Sequence, residues 1–390
     1  MSELNTSNLR KEHGNEGPDL VGTTELTSPY FMVPPSGTTA ERPQNPQKGT
    51  LRFNTDIGSL EYYKGDTIGW EHIVRTTPNL GGGTGSNAGT GARGFLMGGY
   101  ESYPTIVNKI DYVTIPTLGN TTDFGDMYNG TGAGGIISSK TRGIHFGGQT
   151  PTTVTNIEYI TISSTGDGAN FGDLTTATLM MSVGGDQTRG IIAGGKVQPA
   201  NNYTDTIEYV TMASTGNAND FGNLTVAKSH GASATSSTRM VHASGQINPS
   251  GYTDVMDYIT ISTQGNAIDF GDTLIDPGAY GWTNGVVGSS TRSLFALGAN
   301  DTSTYSGIEY ITIATTGSAQ DFGDLSETEV YKAGMSSPTR GLFAGGSDPS
   351  ISDTIDYVII QTLGSTKDFG DIAVTGRAQA PGGSNAHGGL

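Results

Sequence analysis

The sequence predicts an all-β fold assembled from copies of one four-strand unit. Three observations predict it. Arg opens an apolar run at Arg93, Arg142, Arg189, Arg239, Arg292 and Arg340, every 47 to 53 residues. Phe sits in a DFGD-like phrase at Phe124, Phe171, Phe221, Phe270, Phe322 and Phe369, every 47 to 52 residues. Two landmarks that share a period mark an internal repeat. No unit carries a 3.6-residue apolar period long enough for a helix. The composition agrees: 60 of 390 residues are Gly and only 15% are charged, with Thr, Ser, Asn, Ile and Tyr prominent. That balance suits strands and turns.

Each unit reads in the same order. A Gly- and Ser-rich strand such as "AGMSS" comes first, then a short "PT" turn. An apolar strand such as "RGLFAGG" follows. A variable loop leads to a third strand, "IEYITI", which carries Tyr112, Tyr159, Tyr209, Tyr258, Tyr310 or Tyr357. The turn "ATTGSAQ" leads to the fourth strand, "DFGDL". The third strand is apolar on both faces, as a sheet sandwiched between two others requires. A four-stranded unit recurring at this period is the signature of a β-propeller blade.

The Ala193–Gly195 "AGG", the Tyr209 beyond it and the following aromatic resemble the kelch repeat. Phe stands where kelch blades carry Trp, and the diglycine decays to Ser244–Gly245 and Leu297–Gly298. The resemblance covers residues 79–390 and implies a kelch-like β-propeller without implying a function.

Blade number follows from the ends. Residues 378–386, "AQAPGGSNA", resemble a first strand with no second strand after it. Residues 50–73 offer three short strands in which Arg52, Tyr62 and Trp70 occupy blade-like places. The expectation is seven blades. Residues 49–78 would supply most of the closing blade, 79–377 six repeats, and 378–390 the closing strand and tail. Pairing the two ends removes exposed edges. A six-bladed ring with 50–73 as a separate hairpin is the alternative. Residues 1–48 are Pro-rich and aperiodic, and read as an extended arm or linker.

Composition excludes several function classes. A net charge of −17 argues against nucleic acid as the main partner and against anionic membranes. No run approaches the roughly 18 apolar residues of a membrane helix. The absence of Cys rules out disulfides and thiolate chemistry. The N-terminus lacks the apolar core of a secretory signal, so synthesis in a cytosol is expected.

The residues that could carry chemistry are mostly repeated. Asp111, Glu158, Glu208, Asp257, Glu309 and Asp356 each precede a blade Tyr, and the DFGD phrases add ten Asp. Calcium sites or paired acid–base carboxylates are one reading of them. A shared turn cap and a shared partner for each blade Arg is the other, because a catalytic site is made once rather than six times. The six Arg read either as a basic cluster for an anionic glycan or as partners of neighbouring carboxylates. His13, His72, His145, His230, His242 and His387 show no metal-ligand spacing, so no metal site and no cofactor is expected, with calcium left open. "GTGAGG" at 130–135 has no helix after it, "DFG" has no kinase context, and the sialidase Asp box is missing. The expectation is a non-enzyme.

The variable parts lie together. Antiparallel strands put loops 2–3 and 4–1 on one face of the disc. Loop 2–3 reads "YESYPTIVNK", "KVQPANNYTDT" or "QINPSGYTD" in different units. Tyr100, Tyr103, Asn201, Asn202, Tyr203, Tyr252 and Tyr305 are the candidate receptor- or glycan-binding residues, as amphipathic aromatics and adaptable polar groups favour binding surfaces.

Finally, "GTLRFNTDIGSLEYYKGDTIGWEHI" from Gly49 resembles a module of bacteriophage tail-fibre and other virion proteins. The phrase "IEYITI…DFGDL" looks like repeats in tail-fibre-like proteins of cyanobacterial myoviruses. These resemblances imply a virion structural protein on the tail or particle surface, made in the host cytoplasm. The arm would dock to other virion proteins. The propeller would contact a host-surface glycan or outer-membrane protein, with a monomer and a trimer both open. A structural decoration or connector is the second expectation, and a glycan-degrading enzyme the third.

Overall fold

A computed structural model of the chain describes residues 34–56, 59–67, 69–72, 92–200, 202–248, 251–274, 285–299, 303–347, 349–373 and 375–390. Among these the fold is all-β, without an α-helix. The chain divides into two compact units, Met1–Thr76 and Thr77–Leu390.

The larger unit holds six antiparallel sheets built on one plan, five of four strands and the fourth of five. The third sheet represents them: Ser182–Gly185, Arg189–Ala193, Thr206–Thr211 and Asn219–Asn223, side by side in that order. β-Branched Ile and Val at alternate positions favour the extended backbone and fill both faces. Ile207 packs toward the fourth sheet and Val210 toward the second. The core is therefore divided into six apolar clusters, each between two neighbouring sheets, and one of them joins the sixth sheet to the first. A buried Ile, Leu, Val or Phe in such a layer contributes about 1.5–3 kcal/mol.

The DFGD phrase owes its form to a bulge. In all six sheets the register between third and fourth strands shifts at the position before the acidic residue. In the third sheet Ile207 faces Gly222 and Glu208 faces Asp220, so Phe221 is the inserted residue. A bulge re-aims side chains and frees backbone groups. The Phe221 ring meets Tyr209 edge-on at 6.1 Å. Its carbonyl accepts from Gly265 N–H of the fourth sheet at 2.9 Å. The same bond runs from each sheet to the next, and Gly119 N–H of the first sheet reaches the Phe369 carbonyl of the sixth at 3.0 Å. Gly222 adopts φ 153°, and a Cβ there would lie 2.3 Å from the Gly265 carbonyl oxygen. Only Gly permits that approach.

The six Arg residues follow an equally regular rule, different from the carboxylate pairing expected of them. Each guanidinium lies over the Tyr of its own sheet, at 4.4 to 5.1 Å from the ring centre. Each also donates to backbone carbonyls at the end of the third strand of the next sheet. Arg189 reaches Ile261 at 2.9 Å, and Arg340 of the sixth sheet reaches Ile115 of the first at 2.9 Å. Among the described residues none of the six is ion-paired. Stacking and carbonyl contacts suit the planar, weakly hydrated guanidinium.

The expected pairing of the two chain ends is corrected. The C-terminal strand Gly382–Ser384 pairs with Arg93–Met97 and becomes the innermost strand of the first sheet. The Asn385 side chain accepts from Arg93 N–H at 2.8 Å. Residues 50–73 instead form a separate sheet in the smaller unit: Ser36–Gly37, Leu51–Asn54, Ser59–Tyr63 and Trp70–His72. The edge of Leu51–Asn54 that the C-terminal strand would have needed is taken by Ser36–Gly37, in parallel pairing. The extended arm expected over 1–48 is likewise folded from Ser36 onward. Arg42 and Arg52 bracket the buried Glu61 carboxylate at 2.5 and 3.6 Å, and in the 3-10 turn Thr39–Glu41 the Glu41 carboxylate accepts from Thr38 N–H at 2.7 Å. Its earlier part lies outside the described residues.

Candidate functional site

The innermost strands of the six sheets surround a cavity of about 230 Å³. Their Gly and Ser content now has a cause. An innermost strand has one edge with no strand partner, and its carbonyls must be satisfied there. Serine hydroxyls of neighbouring strands do this. Ser182 donates to the Gly231 carbonyl, Ser233 to Val183, Ser384 to Ser336 and Ser138 to Ser384.

One end of the cavity is covered by the chain's own tail. The His387 Nε2–H donates to the Ser138 carbonyl at 2.6 Å, and Nδ1 accepts from Gly389 N–H at 3.1 Å. A carbonyl can only accept, so these bonds fix one neutral tautomer. Burial holds the His387 imidazole down at about 4. A Cβ on Gly388 would overlap the Ser289 carbonyl at 2.2 Å, which shows how closely the tail is seated.

The other end is rimmed by residues that immediately precede the innermost strands. Ala133, Met180, His230, Tyr331 and Gln379 all take the left-handed backbone conformation, with φ between 52° and 64°. This region is uncommon for residues other than Gly. A chain of backbone bonds holds it. Met180 N–H donates to Ala133 O at 2.8 Å, His230 N–H to Met180 O at 3.0 Å, and Ala133 N–H to Gln379 O at 3.0 Å. The backbone is the same at each position and the side chain is different at each.

Tyrosines gather beside this rim. The Tyr331 phenol is pushed up, first by burial, then by the Tyr103 phenol, with Tyr100 and Tyr252 adding to it. The Tyr100 and Tyr103 rings lie 4.8 Å apart. Tyr103 is 52% exposed, whereas Tyr100 is 4% exposed with its ring over Gly132, so Tyr100 supports Tyr103 and presents no open face. Of the other candidates, Tyr203 donates its hydroxyl to Gln246 at 2.9 Å and ties the third sheet's hairpin to the fourth. Asn202 is exposed beside it, and Tyr305 is half-buried with its N–H on the Gly298 carbonyl. Asn201 lies outside the described residues. Met180, Tyr331 and Gln379 escaped sequence reasoning. The available signal was a position that changes in every repeat just before a constant strand.

The repeated acids sit between sheets. Each accepts bonds from the linker that leaves the preceding sheet. Where the linker offers a backbone N–H, at Asn129, Thr175 or Leu274, the acid is Glu158, Glu208 or Glu309. Where it offers a cation, Arg377 or Lys228, the acid is the shorter Asp111 or Asp257. Asp356 takes the Ser326 hydroxyl. Among the described residues no three His, Asp or Glu side chains come together as a metal-binding group.

Glu158 shows what this burial does to an acid. Burial pushes its carboxyl up to about 7, against the N–H of Asn129. The folded protein therefore holds a proton that the unfolded chain releases near 4.5. Between those values stability falls as pH rises. Glu158→Gln is expected to flatten this part of the curve and to gain stability above pH 7. Thermal denaturation of both proteins across that range checks it, and curves that stay parallel would contradict the assignment.

No protein-family model matches the chain, and no curated protein matches it.

Proposed function

We propose that the chain is a non-catalytic binding module of a bacteriophage virion. In this reading the six sheets are the blades of a kelch-like β-propeller closed around the cavity, and the tyrosine-bearing face contacts the host cell surface. The virion assignment rests on the resemblance of residues 49–70 and of the blade phrase to tail-fibre proteins. The six-blade count is supported by the bonds that pass from each sheet to the next and from the sixth back to the first. The observation that carries the binding role is the rim: among the described residues, a constant backbone that displays a different side chain in five of the repeats, beside the Tyr100–Tyr103 pair. Structural positions repeat, whereas recognition positions diverge on a rigid scaffold. The six Arg, Tyr and Phe sets are consumed in sheet-to-sheet packing.

The test is binding of the purified protein to a panel of intact cyanobacterial strains, wild type against Tyr103→Ala/Tyr252→Ala. Saturable binding that the variant loses is the expected result. A folded wild-type protein that binds no strain would replace this reading with a structural connector.

A further inference from the structure

The cavity and its rim define the chemistry of what fits there. Its lining combines polar groups with apolar side chains. Ser182, Ser233 and Ser336 supply hydroxyl oxygens, the first two already donating to carbonyls and left to accept, and Gln379 supplies an amide. The one cation among the lining residues, Lys332, is buried, ion-paired with Glu329 and bonded to the Gly345 carbonyl at 2.8 Å. Burial keeps the imidazoles of His230 and His387 neutral, each at about 4. A charged ligand would lose its hydration here without finding a counter-charge, which is costly. Apolar surface comes from Met180 and the Tyr331 ring at the rim and from Ile136, Val183 and Val286 of the innermost strands.

We propose that the rim formed by Met180, His230, Tyr331 and Gln379 binds one uncharged, polyhydroxylated ring, a single neutral sugar unit, inserted into the cavity mouth. The sugar's apolar C–H face lies on Tyr331 and Met180, and its hydroxyls face Gln379 and the serine-lined wall. The tail at His387 forms the floor, so the unit enters and leaves by the rim alone. This deepens the host-surface reading and rests on it for biological context, while its binding chemistry is tested independently.

The experiment is saturation-transfer NMR on the full chain, with methyl α-glucopyranoside, methyl β-galactopyranoside and glucuronate as probes. Transfer to at least one of the uncharged glycosides, and none to glucuronate, is expected. Gln379→Ala and Tyr331→Ala should each weaken that signal by about tenfold, the scale of one lost polar or stacking contact. Tyr203→Ala, on the periphery, should leave it unchanged. Absence of transfer to both uncharged glycosides with the wild-type protein overturns the proposal, whatever the variants do. So does transfer that both rim variants retain in full. If wild-type protein adheres to cells but takes neither glycoside, the sugar site fails and the adhesion reading survives. If it takes a glycoside but adheres to no strain, the adhesion reading fails alone.

Discussion

Replacing Lys228 with Met is expected to destabilise the protein by about 3–5 kcal/mol, the usual effect of stranding one member of a buried ion pair. Lys228 is fully buried. Its Nζ directs an N–H at the Val255 carbonyl at 2.9 Å and meets the Asp257 carboxylate at 2.9 Å. Burial pulls the ammonium's proton affinity down, and Asp257 is what opposes that. In Lys228→Met the carboxylate remains sealed between the third and fourth sheets, with the Thr225 hydroxyl still donating to it. The double variant Lys228→Met/Asp257→Leu should recover most of the loss, because a buried pair replaced by apolar groups is often neutral or better. Denaturant unfolding of the three proteins decides it. A single variant that loses less than about 1 kcal/mol would mean that water reaches Asp257, as at surface pairs.

Deleting residues 378–390 is expected to abolish cooperative folding. The deletion removes the strand beside Arg93–Met97 and leaves Phe95 and Leu96, both fully buried, on an open sheet edge. It also removes Ala380 from the apolar layer between the sixth and first sheets. Bringing chain segments so distant in sequence together costs roughly 5 kcal/mol of loop-closure entropy. The strand forms only because its bonds and buried surface exceed that cost. A synthetic peptide spanning the deleted residues, added in excess, should restore a single sharp transition in near-ultraviolet circular dichroism. A truncated protein that melts as sharply as wild type would show that the first sheet stands on three strands.

Much of the larger unit is legible because each landmark has one local cause. The alternation in "IEYITI" gives a strand buried on both faces, and the recurrence of Phe and Gly in DFGD marks a constant contact. What was not legible depends on which of two similar segments wins a place. The Gly- and Ser-rich stretches near residues 80 and 380 both read as an innermost strand, and nothing local tells which one pairs with Arg93–Met97. The partner of each Arg was misjudged for a related reason. Carboxylates are abundant in the sequence, but the fold buries the acids beside Tyr against the linkers and turns the guanidinium toward carbonyls of the next sheet. The rim was missed because its left-handed backbone leaves no mark on Met, Tyr or Gln, and the variation at that position was not read as a surface. Of the predicted tyrosines, Tyr103 lies by the rim, Tyr100 backs it, and Tyr203 is occupied in bridging two sheets.

The place of Arg93–Met97 inside its sheet has a mechanical consequence. This strand is bonded on both sides, to Gly382–Ser384 and to Lys109–Thr114. Tension arriving through the residues before Arg93 pulls along the strand axis. Both rows of bonds then bear the load in shear and share it, instead of opening one after another from an end. A pull that enters there and is resisted at the far end of the same sheets would load the first sheet in its strongest direction.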